Sequence, residues 1–151
     1  MIRQCLIATA LWIGVSLPAL AAEPIEKISP HSVEATVDRL VAAIEGTGAT
    51  VIARVDHSAA AHAAEMDLRP TQVLIFGNPE LGTPAMQDSQ TAGLDLPLRV
   101  LAYEDADGRV HVAYHRPAEL AATHGLPEDA EYIVKMTSAL EKLTAMAIAS
   151  D

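Results

Sequence analysis

The sequence predicts an α+β fold: an antiparallel sheet of four to five strands with helices packed on one face. Three observations carry this. Val33, Val37, Leu40, Val41 and Ile44 recur at helical spacing near the start, and Ile133, Met136, Leu140, Leu143 and Ala147 do so at the end. Between them lie short β-rich stretches bounded by Gly, Pro and Asn. Two of these flank Asp105-Ala106-Asp107-Gly108, a hairpin turn, so they run antiparallel. Strands in a run with helices around them make α+β rather than α/β.

Each element has its own signal. Ile25–Ile28 reads as an edge strand, blunted by Pro24 and Pro30. Ser32 is an N-cap, and Gly46 and Gly48 stop the first helix. Thr50 to Asp56 alternates, which sends Val51, Ala53 and Val55 one way and continues to His57 on the apolar side. Ser58 to Glu65 is Ala-rich and predicts one or two helical turns, ended by Pro70. Val73-Leu74-Ile75-Phe76 is apolar on both faces and predicts a central, covered strand. Gly77-Asn78-Pro79 predicts a turn, and Gly82-Thr83-Pro84 the start of a short element reaching about Ser89.

The hairpin register can be derived. A three-residue loop with Gly108 left-handed pairs Asp105 with Arg109. Val100 and Ala102 then share a face with Val110, Val112 and Tyr114, while a slip by one would mix apolar and charged residues on both faces. The other face carries Arg99, Leu101, Tyr103, His111, Ala113 and His115, with Tyr103 opposite His111 and Arg99 opposite His115. Pro117 opens a helix stopped by Gly125, and Pro127-Glu128 suits the start of the last one.

Composition limits function. The 151 residues suit a single domain, and 50% hydrophobic content excludes disorder for the bulk. Acids outnumber bases 20 to 10, a net charge of −10, which disfavours nucleic acid and anionic membrane surfaces. Aromatic residues at 3% exclude stacking platforms as a main binding mode.

Residues 1–21 read as an export signal: Arg3, an apolar run from Cys5 to Leu20, and the small-x-small pattern Ala19-Leu20-Ala21, with cleavage after Ala21. Residues 22–30 form a lead-in, and 31–150 the single α+β domain. The expected location is periplasmic or secreted, with no membrane association after cleavage. Cys5 and Trp12 leave with the signal, so the remainder has no thiol chemistry. Loss of Arg3 takes the charge from −10 to −11.

With these motifs in place, the chain resembles the family named domain of unknown function 302. The residues that carry the likeness are Ile75-Phe76-Gly77-Asn78-Pro79 with Gly82-Thr83-Pro84, then Leu94-Asp95-Leu96-Pro97-Leu98-Arg99 running into Val100–Asp105, and Asp107-Gly108. Asp56-His57 and His124 also fit, and the likeness spans roughly residues 30 to 149. It implies a fold similar to the TATA-binding-protein-like β-α-β4-α layout and implies no activity. The DNA-binding role of that layout does not transfer to an acidic chain.

Candidate ligand-binding residues are His57, Asn78, Asp95 and His124, taken to gather at strand ends. Asp95 between Leu94 and Leu96 needs a partner, and His57, Arg99 and His124 are the choices. On the sheet face, Arg99, Tyr103, His111 and His115 offer a shallow pocket for an anion or small polar ligand, against the plainer reading of a half-wet surface. His111 and His115 are four strand residues apart, roughly 13 Å, too far to share a metal.

The leading expectation is a non-enzymatic domain that binds a small ligand or a protein, without cofactor or resident metal. A homodimer through the uncovered sheet face is a further expectation, because Leu101 and its neighbours are not fully polar. The first alternative is copper or zinc handling, suggested by His31, His62, Met66, Met86 and His124. The second is acid–base catalysis by His57 and Asp95. No nucleophile elbow, phosphate loop or zinc-protease motif is present.

Overall fold

The computed structural model describes residues 23–150; the expected export signal, with its cleavage after Ala21, lies outside them. Strands β1 (Ile25–Ser29), β2 (Thr50–Asp56), β3 (Thr71–Gly77), β4 (Leu98–Glu104) and β5 (Val110–Tyr114) form one sheet in the order β1-β5-β4-β3-β2. Every pairing is antiparallel, so the predicted α+β class holds. The helices are α1 (Val33–Glu45), α2 (His57–Ala63), α3 (Pro79–Asp88), α4 (Pro117–His124) and α5 (Glu131–Ala147), with a 3-10 turn at Gln90–Leu94. No helix among the described residues is long and apolar enough to cross a membrane.

Local chemistry sets the ends. The Ser32 hydroxyl accepts from the Ala35 N–H, and Gly125 ends α4 in the left-handed region at φ 66°. The hairpin has the derived register: Tyr103 faces His111, and Gly108 is left-handed at φ 76°. Asp105 closes the turn by accepting from the Asp107 and Arg109 N–H groups, both at 2.9 Å.

The core has two parts. In the larger, Leu74, Phe76, Val100, Ala102, Val110 and Val112 of the sheet pack against Val37, Leu40 and Ile44 of α1 and Leu140, Leu143 and Ala147 of α5. In the smaller, Ile133 and Met136 of α5 pack with Ala85, Ala92, Leu120, Ala121 and Leu126. Leu98 packs against both. The predicted α5 stripe is thus wholly buried, with Thr144 added to it.

Five local expectations change. A bulge lies between Val51 and Ala53, whose partners Phe76 and Ile75 are adjacent on β3. The extra residue, Ile52, reverses the alternation: Val51 joins the helix-covered core, whereas Ala53 and Val55 pair with residues of the opposite face. His57 does not continue the strand but opens α2, capped by Asp56 accepting from the Ala59 N–H. β3 is paired on both sides, but only Leu74 and Phe76 are buried. Val73 and Ile75 face the side that α1 and α5 leave open and are half-buried. Finally, Asn78-Pro79 is a helix start rather than a free turn. Asn78 accepts from the Glu80 N–H, Pro79 takes the first position, and α3 runs through Pro84 to Asp88. At the other end, α5 begins at Glu131, because Pro127 to Ala130 forms a turn closed by the Ala130 N–H on the Pro127 carbonyl.

This one-sided layering is directly testable. Leu74→Ala empties the helix-covered face and should cost about 2–5 kcal/mol, with Val73→Ala costing less than half as much. Urea unfolding at unchanged slope measures both; equal losses would mean that both faces are covered alike.

Candidate functional site

His124 ends α4 and Asp95 follows the 3-10 turn, and the fold brings them together. The imidazole is only 6% exposed, with Nε2 at 2.7 Å from Asp95 Oδ2 and Nδ1 at 3.0 Å from the Thr91 hydroxyl. A carboxylate only accepts, so Nε2–H donates to Asp95 in the neutral ring, and Nδ1 accepts from Thr91. Ser89 extends the chain, 3.0 Å from Thr91 Oγ1. Arg99 Nη2 donates to the Asp95 carbonyl at 3.4 Å and lies 3.6 Å from its carboxylate. Of the three partners foreseen for Asp95, His124 and Arg99 are found. The arrangement is a clasp tying the 3-10 turn and the start of β4 to α4.

His57 is elsewhere. It follows Asp56, which pairs with Gln72, whereas Asn78 follows Gly77, which pairs with Thr50. Five residues of β3 separate the two ends, roughly 16 Å at strand rise. Asp95 belongs to the Gly77 end, because β4 enters with Leu98 beside Phe76. His57 therefore joins neither Asn78 nor the Asp95–His124 clasp. Its pairing with Asp95 as acid and base has no common cleft.

The four sheet-face candidates divide. Tyr103 and His111 stack with centroids 5.1 Å apart and planes 13° apart. Tyr103 donates to Glu26 at 3.0 Å, and His111 Nε2–H donates to Asp105 at 2.8 Å. These groups satisfy one another. The Arg109 N–H, then His111, hold the Asp105 carboxyl well below the usual carboxylate range. Burial, reinforced by Glu26, pushes the Tyr103 phenol up. Arg99 and His115 instead reach a cavity of about 350 Å³, lined also by Arg116, Glu119, Leu120 and Leu140.

A second cavity, about 420 Å³, opens at the Gly77 end between β2, α3, α5 and the segment 93–98. Its walls are mostly apolar: Ile52, Leu81, Met86, Leu96, Pro97 and Met136, with Thr50, Asn78 and Thr83 as polar groups. A Cβ on Gly93 would stand 3.3 Å from Met86 Sδ, and one on Gly77 would stand 3.3 Å from the Pro97 Cβ, so both glycines permit close packing along this wall. Leu98 borders both cavities. Among the described residues no group of three or more His, Cys, Asp or Glu is placed to hold a metal ion.

Thr91, Arg116, Glu119, Ile52, Gly93 and Met136 also belong to these sites, although local sequence rules do not mark them as site groups. The Arg116-Pro117-x-Glu119 start of α4 was the available signal for two of them: Arg116 Nη1 lies 3.7 Å from Glu119 Oε1. The others depend on the bulge and on contacts between distant elements.

The family model described as "Domain of unknown function DUF302" matches residues 25–143. The crystal structure of an uncharacterized conserved protein, DUF302, from Bacillus stearothermophilus has the same fold, with a TM-score of 0.75 at 16% identity, covering 84% of this chain and 99% of that one. Proteins named fluoride-specific ion channel FluC 1 from Brucella suis and Brucella abortus are each 46% identical over 107 residues, which is 71% of this chain. The matched stretch makes up 42% and 40% of their respective lengths, so the chain spans about two-fifths of these relatives.

The Asp105 anchor carries a pH signature. A carboxyl held low in the folded state contributes fully above the ordinary carboxylate range, and that contribution is lost as pH falls through the folded-state value. Asp105→Asn should therefore be less stable than the parent at pH 7, and the gap should close on acidification below about pH 4. Thermal melts of both proteins across pH measure it; a gap that widens in acid would contradict the assignment.

Proposed function

The chain belongs to the DUF302 family, and from that premise we propose that it is an exported, periplasmic or secreted, non-enzymatic domain that binds a small apolar molecule in the 420 Å³ cleft beside Gly77. The observation that carries this reading is the cleft's make-up: apolar walls with a few polar groups, in the size range of small-molecule sites. It sits at the end of paired strands, where Asn78 can orient a ligand. The Asn78 side-chain Oδ1 caps α3 by accepting from the Glu80 N–H at 2.8 Å, leaving the side-chain amide nitrogen as a donor for that purpose. The bulge supports the same reading, since Ile52, 59% exposed, stands at the cleft instead of in the core. The Thr91–His124–Asp95 chain serves this domain as a clasp that fixes the cleft's wall at residues 93–98.

The Brucella relatives fit this reading as composite proteins. A channel needs membrane-crossing segments, and no helix among the described residues is long and apolar enough to be one.

A second reading concerns the open sheet face. Ile28 at 61% and Val55 at 38% exposure flank half-buried Leu101, Val73 and Ile75, which favours a homodimer through that face. Sedimentation equilibrium should find a dimer that Ile28→Lys with Val55→Lys converts to monomer; a parent that is monomeric throughout would remove this reading.

Gly82→Leu tests the cleft. A Cβ there meets Leu96 Cδ1 at 3.9 Å, an ordinary contact, and replacing a helical glycine favours α3 by up to about 1 kcal/mol. The variant should fold and fill the cleft. The neutral probe N-phenyl-1-naphthylamine should brighten with the parent and bind Gly82→Leu at least about tenfold more weakly, the loss expected when buried apolar contact is replaced. Equal binding to both would overturn the reading.

A further inference from the structure

We propose that the cavity across Leu98 from the apolar cleft is a separate site for a small aliphatic carboxylate, gripped by Arg99 and Arg116. The inference does not rest on the apolar-cleft reading. The starting observation is a concentration of donors. The chain has only ten basic residues against 20 acids. Two of those ten, with His115, nevertheless line one cavity of about 350 Å³.

These guanidinium groups are held in place without being used up. Arg99 approaches the Asp95 carboxylate only to 3.6 Å, and Arg116 approaches Glu119 Oε1 only to 3.7 Å, both beyond a good hydrogen bond. Arg116 Nη1 donates to the Glu23 carbonyl at 2.8 Å, which leaves its other donors available. Both acids are themselves anchored: Asp95 accepts from His124 at 2.7 Å, and Glu119 Oε2 accepts from His115 Nδ1 at 3.0 Å. Glu119 Oε1 is buried with no hydrogen-bond partner, so its charge is directed at Arg116 and not at water. Two forks steadied by carboxylates at a distance, with spare N–H groups, match a carboxylate, which accepts two parallel N–H bonds from one guanidinium.

The rest of the lining selects the body of the ligand. Leu98, Leu120, Leu140 and Pro117 form an apolar floor. A bare inorganic anion would leave this floor unused, whereas a short alkyl chain would cover it. Because Asp95 and Glu119 balance the two arginines, the cavity has little surplus positive charge, and a dianion gains less than a monoanion. The chemistry converges on a monocarboxylate with a short aliphatic tail.

The test is titration with butyrate at low ionic strength, followed by backbone amide shifts in NMR, with acetate and uncharged butyramide as comparisons. Saturable shifts centred on Arg99, Arg116 and Leu120 are expected with butyrate, weaker binding with acetate, and none with butyramide. Arg99→Met should bind butyrate at least about tenfold more weakly, the scale of one lost charge-assisted hydrogen bond. Gly82→Leu, which alters the other cleft, should bind butyrate like the parent. Absence of saturable shifts, equal binding of butyramide, unaltered affinity in Arg99→Met, or loss of binding in Gly82→Leu would each overturn the proposal. Should Arg99→Met fail to fold, the butyrate and butyramide comparison on the parent still decides it.

Discussion

Everything else in this structure hangs on the apolar stripe of α5. Its C-terminal half, Leu140, Leu143 and Ala147, closes the sheet core with α1, while its N-terminal half, Ile133 and Met136, closes the smaller core under α3 and α4. One helix therefore belongs to two packing units, and the chain has a seam where they part. Both cavities fall on that seam. Met136 borders one and Leu140 the other, a single turn apart on α5, and Leu98 stands between them. Close-packed interiors leave few voids, and those that persist here lie where two well-packed clusters diverge.

What could be read from the sequence was what local rules decide. The α5 stripe, the Ser32 cap and the hairpin register all follow from spacing within a single element or hairpin, and all three are present as derived. The bulge at Ile52 could not be read that way, because it is defined by which β3 residues lie opposite, not by anything within β2. Its effect is large. One inserted residue sends Val51 to the covered face and Ala53 and Val55 to the open one, and a reading of strict alternation carries that error through to His57. Asn78-Pro79-Glu80 did hold a legible signal, a cap followed by the favoured first-turn residues, but a Gly-Asn-Pro string suits a turn equally well. The site was legible in half: Asp95 needed a partner by its apolar setting, and His124 was among those foreseen, but their meeting depends on a contact 29 residues apart.

The acidic character of the chain also acquires a structural meaning. Many of its carboxylates accept hydrogen bonds at points where backbone or cationic groups need them. Asp56 caps α2, Asp105 takes the Arg109 and Asp107 N–H groups in the hairpin, and Asp95 holds His124. A carboxylate so committed is not a free surface charge. The net charge of −10 therefore does not by itself mark any single acidic site.

The clasp and the glycine contact together explain why the seam holds two cavities and not one. The segment from Asp95 to Leu98 crosses it. On one side Asp95 is tied to His124 and, through it, to Thr91. On the other, Pro97 lies so close to Gly77 that any side chain there would crowd it. Fixed from both flanks, the segment keeps Leu98 as a partition, with the apolar wall of α3 on one side and Arg99 of β4 and Arg116 before α4 on the other. Loosening either attachment frees the partition itself, so the difference in chemistry between the two cavities depends on His124 and Thr91, which line neither of them, as much as on the walls.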